Sequence, residues 1–366
     1  MTALNIQSIS DPALQEIGAA VLAGRRVSDQ QLMSMLTTPD VNGLGAISSA
    51  VRKERHGARC FYGHSLNVNY TNICELRCPI CAFSCDDGAA AAYVLTMDQV
   101  REKVTRACEA GADQAHIVGG LNPVLPLDYY RQLVTTVKSV RADMYIVGFT
   151  ATEYDYMEKR SGIPVHQLLA EFRDLGVDAL PGGGAEIFAS ETRSRIAPKK
   201  ITADRWLDIM RLAHRAGLKS NATILYNHVE THDDIVDHLR RLRALQDETG
   251  GFQALVPLPY HGDRTDIPAR RSRPSGVDSL RLFAAARVYL DNVPHLKGLW
   301  MYLGIKVAQV LATVAVDDVG ATYLNEKIVH AAGASTPDSG SERGLRAMIE
   351  QAGFTPVRTT AGYTAT

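Results

Sequence analysis

From residue 60 onward the chain repeats one pattern: a short apolar run, a glycine-rich or polar turn, and an amphipathic helical stretch. Strands that alternate with helices in this way pair in parallel through right-handed crossovers. The seven units, or eight with a weaker strand pattern at Thr313–Val316, predict an α/β fold, a TIM-type parallel β/α barrel, complete or partial. An open doubly wound sheet is the alternative. The predicted strands are Leu66–Thr71, Gln114–Val118, Met144–Thr150, Val177–Leu180, Leu218–Leu225, Phe252–Pro257 and Lys297–Tyr302.

The flanking segments read differently from this repeat. Residues 1–59 are predicted to form a helical extension outside the barrel domain of residues 60–335, and residues 336–366 to form a C-terminal helix and tail. Ser28-x-x-Gln31 and Thr96-x-x-Gln99 have the pattern of capping boxes, which satisfy free backbone groups where a helix begins.

Composition and charge exclude several classes of protein. The 366 residues are 46% hydrophobic and carry 39 Lys and Arg against 40 Asp and Glu, so no strong field attracts nucleic acid or an anionic membrane. No apolar run approaches the ~18–20 residues of a membrane span, and the N-terminus lacks a secretory signal pattern. We therefore expect a cytoplasmic protein without nucleic-acid or membrane partners.

Three cysteines directly after the first strand give the strongest chemical signal. Cys74-x3-Cys78-x2-Cys81 places three thiols on one tight loop. A cluster with four irons takes thiolate ligands, and three of them leave one iron open to a substrate or cofactor. A zinc site completed by Cys85 or His64 is the alternative metal centre.

The spacing resembles that of the radical S-adenosylmethionine (SAM) superfamily, and further motifs resemble its futalosine-pathway branch, above all the aminofutalosine synthases. These motifs are HIVGGLNP (116–123), FTATE (149–153), LPGGGAEIF (180–188), SNATILYNHVE (220–230), LRALQDETGGFQ (242–253) and VPLPYH (256–261). The resemblance implies a 4Fe–4S cluster held by Cys74, Cys78 and Cys81, SAM as cofactor, and a low-potential electron donor of flavodoxin or ferredoxin type. It also implies a transferase reaction, in which a 5′-deoxyadenosyl radical adds to 3-[(1-carboxyvinyl)oxy]benzoate to give aminofutalosine for menaquinone biosynthesis.

Some positions depart from that family pattern. Ile80 stands where the superfamily usually has an aromatic residue, Gly262–Thr265 replaces a different turn, and an arginine-rich stretch follows at 270–273. A paralogue that transfers the adenosyl group to a different unsaturated acid, in nucleoside natural-product biosynthesis, therefore stays open. A non-catalytic iron–sulfur or zinc scaffold is the alternative of another class.

The remaining candidate residues follow the predicted strands, where a parallel barrel presents its functional groups. We expect His228, Glu230 and His261 to handle protons or bind the acceptor, because imidazole titrates near neutral pH. Asn221 and Thr223 lie two apart on one strand, so both face the same side, either the lumen or the core. The predicted cofactor-binding residues are Gly119, Gly120, Glu153, Glu186, Arg193, Asn221 and Thr223.

Overall fold

A computed structural model describes residues 4–271, 275–324, 326–337 and 339–363. The strands are β1 Arg59–Gly63, β2 Ser65–Val68, β3 Gln114–Ile117, β4 Tyr145–Gly148, β5 Ala179–Leu180, β6 Lys219–Tyr226, β7 Phe252–Pro259, β8 His295–Leu296, β9 Asp318–Ala321 and β10 Thr355–Arg358. A 3-10 turn at Ile6–Ser8 precedes the helices α1 Pro12–Leu22, α2 Asp29–Thr37, α3 Val41–His56, α4 Met97–Glu109, α5 Leu127–Val140, α6 Ala151–Ser161, α7 Val165–Leu175, α8 Ser190–Ile196, α9 Ala203–Arg215, α10 His232–Thr249, α11 Gly276–Tyr289, α12 Trp300–Leu303, α13 Ile305–Val314, α14 Ile328–Ala331 and α15 Glu342–Gln351.

Within the described ranges, β2 to β8 form one seven-stranded parallel sheet in sequential order. Asn67 pairs with His116, and His116 pairs with Val147, so neighbouring strands start at similar heights. Sequential parallel order with a helix after most strands is the topology of a β/α barrel, and the predicted fold class is confirmed.

A smaller parallel sheet, in the order β10-β1-β9, lies beside the two edges of the large sheet. Lys297 forms a bridge with Asp318, and Leu66 forms a bridge with Leu324. The Asp318–Leu324 segment therefore touches both the last and the first strand of the large sheet. These single bridges leave a partial barrel whose seam is filled by β9 and the residues after it.

The flanking helices pack onto the barrel and share its core. α3 packs against α11 and α13, and one continuous cluster of buried side chains extends from Ile9 to Ile349. Both predicted capping boxes form, at the starts of α2 and α4, where each side chain and backbone amide bond reciprocally. None of the helices in the described residues is long and apolar enough to cross a membrane.

Two predicted strands are wrong in position. The seventh strand is His295–Leu296, and α12 covers the second half of the predicted Lys297–Tyr302. α13 continues through Thr313, and the eighth strand pattern is displaced to β9. Apolar runs this short fit a buried helix as well as a strand, so packing decides between them. α6 and α8 also form where the sequence was assigned only to turns.

Candidate active site

A cavity of about 390 Å³ runs from the loop after β2 into the barrel lumen. The carboxyl ends of parallel strands lie together at one rim of a barrel, and active-site residues are usually found at that rim. Most of the predicted site residues line it, namely Cys74, Cys78, Cys81, Gly119, Gly120, Glu153, Glu186, Asn221, Thr223 and His261.

The cysteine loop is held from both sides by backbone bonds. The Cys74 amide donates to the carbonyl of Cys85 at 3.1 Å, and the Asp266 amide donates to the carbonyl of Pro79 at 2.9 Å. Burial raises the pKa of Cys78 to about 11, and the nearby Lys200 ammonium opposes that rise. Three thiols on one fixed loop, facing one cavity beside a cation, fit a cluster with three thiolate ligands.

The alternative zinc ligands are placed elsewhere. Cys85 and His64 are not among the described residues that line the cavity. Cys85 contributes through its backbone, which bonds both Cys74 and Asn72. Neither of the two residues predicted to complete a zinc site therefore lies with the three thiols among the described lining residues.

Gly119 and Gly120 are required by close packing beside the cysteine loop. A Cβ on Gly119 would lie 2.6 Å from the Tyr70 ring. A Cβ on Gly120 would lie 2.2 Å from the carbonyl oxygen of Ile73 and 3.0 Å from the Cβ of Cys74. Glycine is needed here because two backbone segments meet without room for a side chain.

Glu153 ties this glycine turn to the barrel wall. Its Oε1 accepts from the Tyr70 hydroxyl at 2.7 Å and the Gly119 amide at 3.2 Å, while Oε2 accepts from the amide and hydroxyl of Thr150 at 2.7 Å. The carboxylate is 2% exposed, and burial raises its pKa. Glu153 thus lines the cavity and also fixes its glycine rim.

Glu186 forms an ion pair with Lys200, a residue that the sequence reasoning missed. Burial would raise the pKa of Glu186, but the Lys200 ammonium reverses that effect and the pKa is lowered. Both side chains line the cavity near Cys78, so the pair places a cation beside the thiols. Lys200 lies in a loop between α8 and α9, where no strand-end pattern marks it.

Arg193 is buried away from the cavity lining. Its guanidinium donates to the carbonyls of Gly184, Ala185, Ile187 and Ile201, at 2.6–3.2 Å. These bonds use all five N–H donors of the guanidinium group. The placement favours a role in shaping the Gly184–Ile187 loop over the predicted binding of the cofactor.

The predicted pair on the fifth barrel strand faces the lumen. Asn221 and Thr223 both line the cavity. The Thr223 hydroxyl donates to the Gly182 carbonyl at 2.6 Å, whereas Asn221 Oδ1 has no hydrogen-bond partner within the described residues. The side-chain oxygen of Asn221 is thus available to a ligand, whereas the hydroxyl proton of Thr223 is engaged by the Gly182 carbonyl.

His228 and Glu230 lie together but outside the cavity lining. Glu230 accepts from the amides of Asn227 and His228, each at 2.8 Å, and His228 Nε2 lies 3.0 Å from the Leu225 carbonyl oxygen. Burial lowers the pKa of His228. Asn227 has a φ of +73°, so this network stabilises a strained turn. The arrangement favours a structural role for both residues.

His261, by contrast, lines the cavity after β7, with Nε2 at 3.0 Å from the Tyr302 carbonyl oxygen. Arg270 and Arg271 are not among the described residues that line the cavity, and Arg270 bonds the Glu230 carbonyl. Arg273 lies outside the described residues. Of the three residues predicted to handle protons or bind the acceptor, His261 is therefore the one that lines the cavity among the described residues.

Polar lumen residues were also missed, namely Asn67, Asn69, His116 and Lys297. The alternation that identified Asn221 and Thr223 applies equally to Asn67 and Asn69, and His116 interrupts an apolar strand. Lys297 directly follows β8, but the predicted strand began at Lys297 itself, so this residue was not recognised as a strand-end residue.

Comparison with known proteins decides the family. The model of the radical SAM superfamily matches residues 68–242, and that of the CofH/MqnC C-terminal region matches residues 249–365. An aminodeoxyfutalosine synthase from Thermus thermophilus is 38% identical over 361 residues, which cover 98% of this chain and 97% of that protein. The chain belongs to the radical SAM superfamily. Enzymes of this superfamily use a 4Fe–4S cluster and SAM, as the sequence resemblance implied.

Other relatives of this radical SAM enzyme carry different names. A 5-amino-6-(D-ribitylamino)uracil–L-tyrosine 4-hydroxyphenyl transferase from Methanopyrus kandleri is 36% identical, covering 81% of this chain and 82% of its own. Among solved structures, the hydrogenase maturase HydG superposes with a TM-score of 0.77 at 16% identity, covering 98% of this chain and 79% of its own. Methylornithine synthase PylB superposes with a TM-score of 0.74 at 16% identity, covering 93% and 97%. These two structures support the fold alone.

Proposed function

We propose that this enzyme adds the 5′-deoxyadenosyl group of SAM to the enol-ether double bond of 3-[(1-carboxyvinyl)oxy]benzoate, as an aminofutalosine synthase of menaquinone biosynthesis. Methionine leaves SAM, and rearrangement with loss of carbon dioxide completes the product. The observation that carries the proposal is one cavity joining three thiols at the barrel rim to a polar lumen. Near full-length relatives named aminodeoxyfutalosine synthase, 38% and 34% identical, support this choice of acceptor.

Cys74, Cys78 and Cys81 would hold the cluster, and Lys200 would balance its negative charge. When bound, the cluster and SAM supply a 5′-deoxyadenosyl radical. The chain's own contribution is to place both reactants in one closed space, with Glu153 and the Gly119–Gly120 turn fixing the rim. Asn221 and Thr223 would contact the adenosyl group or the acceptor.

The lumen wall protects a reactive species from water. Leu225, Val256 and Leu258 line the cavity between the polar groups, and apolar walls exclude water from the site. His261 at the rim would bind an acceptor carboxylate or pass a proton, since imidazole can do either near neutral pH.

The proposal includes an electron donor of flavodoxin or ferredoxin type and a cytoplasmic location, with no nucleic-acid or membrane partner. The near-neutral net charge of −1 supports the absence of polyanionic partners.

Ile80 gives a specific reason to keep a paralogue as second candidate. It lines the cavity between two cysteines, where the family pattern has an aromatic side chain, so the space beside the cofactor differs. That enzyme would transfer the adenosyl group to another unsaturated acid.

The test is anaerobic incubation of reconstituted enzyme with SAM, reductant and 3-[(1-carboxyvinyl)oxy]benzoate, followed by mass analysis. We expect an adenosyl adduct with little free 5′-deoxyadenosine. Adduct on a different alkene alone would favour the paralogue, and absence of SAM cleavage would favour the scaffold. Cys74→Ala, Cys78→Ala and Cys81→Ala should each abolish cleavage, whereas Cys85→Ala, the matched thiol outside the lining, should not.

A further inference from the structure

Four polar residues line the lumen below the cysteine loop, and the proposed cofactor contacts do not account for them fully. Asn67, His116, Asn221 and Lys297, here called the lumen patch, all line the cavity. Asn67 and His116 are register partners inside β2 and β3, while Cys74 lies six residues beyond the end of β2. The patch therefore occupies the closed side of the cavity.

Lys297 is the cation of the lumen patch. Its Nζ lies 3.2 Å from Asp318 Oδ2 and 5.1 Å from the centre of the Tyr363 ring, and its side chain is 12% exposed. Asp318 also accepts from the Tyr363 hydroxyl at 2.7 Å and the Gly320 amide at 2.7 Å. Since an ammonium has three donors, protons remain for a ligand in the lumen.

His116 adds a neutral imidazole to the patch. Its Nε2 has no hydrogen-bond partner within the described residues, although it is buried. Burial lowers its pKa to about 4, and the neighbouring Lys297 ammonium acts in the same direction. At neutral pH the ring is therefore uncharged and can donate one N–H to an anion.

The two asparagines complete the ring of polar groups. Asn67 is 7% exposed, and the Oδ1 atoms of Asn67 and Asn221 are both unpartnered in the described part of the chain. Rotation of an amide exchanges its oxygen for its NH₂, so each can turn a donor toward a negative ligand. Buried polar atoms without partners are uncommon in folded proteins, which points to a ligand that satisfies them.

We infer that the lumen patch binds a carboxylate of the acceptor, the one on its aromatic ring, with Lys297 as the charged anchor. The inference rests on the proposed function and deepens it. The enol-ether end must face the adenosyl group near the cysteines, so the opposite end of the acceptor lies toward the closed side. A planar acid there meets an ammonium and amide donors, which is the chemistry that recognises a carboxylate.

Binding, measured without turnover, tests this assignment separately from the reaction. The probes are 3-[(1-carboxyvinyl)oxy]benzoate and 2-phenoxyacrylate, which lacks the ring carboxylate, titrated into anaerobically reconstituted enzyme with SAM. A charge-assisted hydrogen bond predicts that the ring carboxylate tightens Kd by at least about tenfold. Lys297→Met should remove that difference, while Lys306→Met, an exposed lysine on α13, should keep it.

Asn67→Asp provides a second variant of nearly equal shape. A new negative charge in the patch should weaken binding of the diacid more than that of 2-phenoxyacrylate, and SAM binding reports whether the fold is intact. If the diacid binds more tightly than 2-phenoxyacrylate by the same factor in Lys297→Met as in the unsubstituted enzyme, the inference is overturned. Failure of both acids to bind would also overturn it. If the diacid binds through Lys297 but no adduct forms, the proposed reaction fails and the carboxylate site stands.

Discussion

Replacement of Gly120 by alanine tests whether the glycine turn sets the position of the cysteine loop. The new Cβ would lie 2.2 Å from the Ile73 carbonyl oxygen, whereas ordinary carbon–oxygen contacts are no closer than about 3.3 Å. The backbone before Cys74 must therefore retreat by about 1 Å. Neither contact partner is a flexible chain end, because the neighbours are the Ile73 backbone and the Cys74 Cβ.

The expected magnitude follows from that displacement. A metal site tolerates ligand errors of about 0.2 Å, so a shift of about 1 Å removes Cys74 from ligation geometry. Overpacking of this kind costs about 1–3 kcal/mol. If the strain is relieved by moving the cysteine loop, the equilibrium for cluster loading falls by about fivefold to a hundredfold.

The assay is iron content per chain after anaerobic reconstitution, followed by SAM cleavage with a chemical reductant. Gly276→Ala is the matched control, because a Cβ there meets no atom within 4 Å and α11 begins at that residue. Far-ultraviolet circular dichroism should be alike for both variants. Full iron loading and cleavage in Gly120→Ala, with the fold intact, would refute the packing argument.

Further predictions concern residues whose placement differs from the sequence expectation or was not addressed by it. Arg193→Met should lower the free energy of unfolding by about 3 kcal/mol, measured in urea, because buried carbonyls lose their donors. His261→Ala should slow adduct formation at least tenfold at unchanged iron content, since general acid–base help is worth ~10²–10⁴. His228→Ala should instead reduce stability, because its ring is buried beside Glu230. Acidification from about pH 7 to about pH 5 should cost about 2 kcal/mol of stability through His238. Burial lowers the pKa of His238 to about 3, so between pH 7 and pH 5 the unfolded chain binds a proton at this residue and the folded chain does not. His238→Gln should therefore reduce the pH dependence of stability.

The predictions for Arg193, His228 and His238 each have a result that would contradict them. An unchanged free energy of unfolding with lost SAM binding in Arg193→Met would support the cofactor-binding role predicted from sequence. A slower reaction with unchanged stability in His228→Ala would restore its catalytic role. A pH dependence equal in His238→Gln and the unsubstituted chain would show that other groups, such as His214, carry the effect.

The sequence alone determined the α/β class and placed the candidate site after the strands, whereas the sequential strand order of the structure separated a partial barrel from a doubly wound sheet. Local periodicity identifies strands and helices, and parallel order brings every strand end to one rim. The spacing of Cys74, Cys78 and Cys81 is a local property, so the tight loop that carries them could be read directly. The capping boxes at Ser28 and Thr96 formed for the same reason: their bonds join residues three apart.

Tertiary structure alone decided which polar side chains reach the lumen. Arg193 lies on α8 and His228 follows β6, yet nearby backbone carbonyls engage both side chains, which the sequence pattern does not show. Lys200 and Lys297 reach the cavity because of their partners Glu186 and Asp318, 14 and 21 residues away. A charged group can be buried only where another part of the chain supplies its counter-charge, and that pairing exists only once the chain has folded.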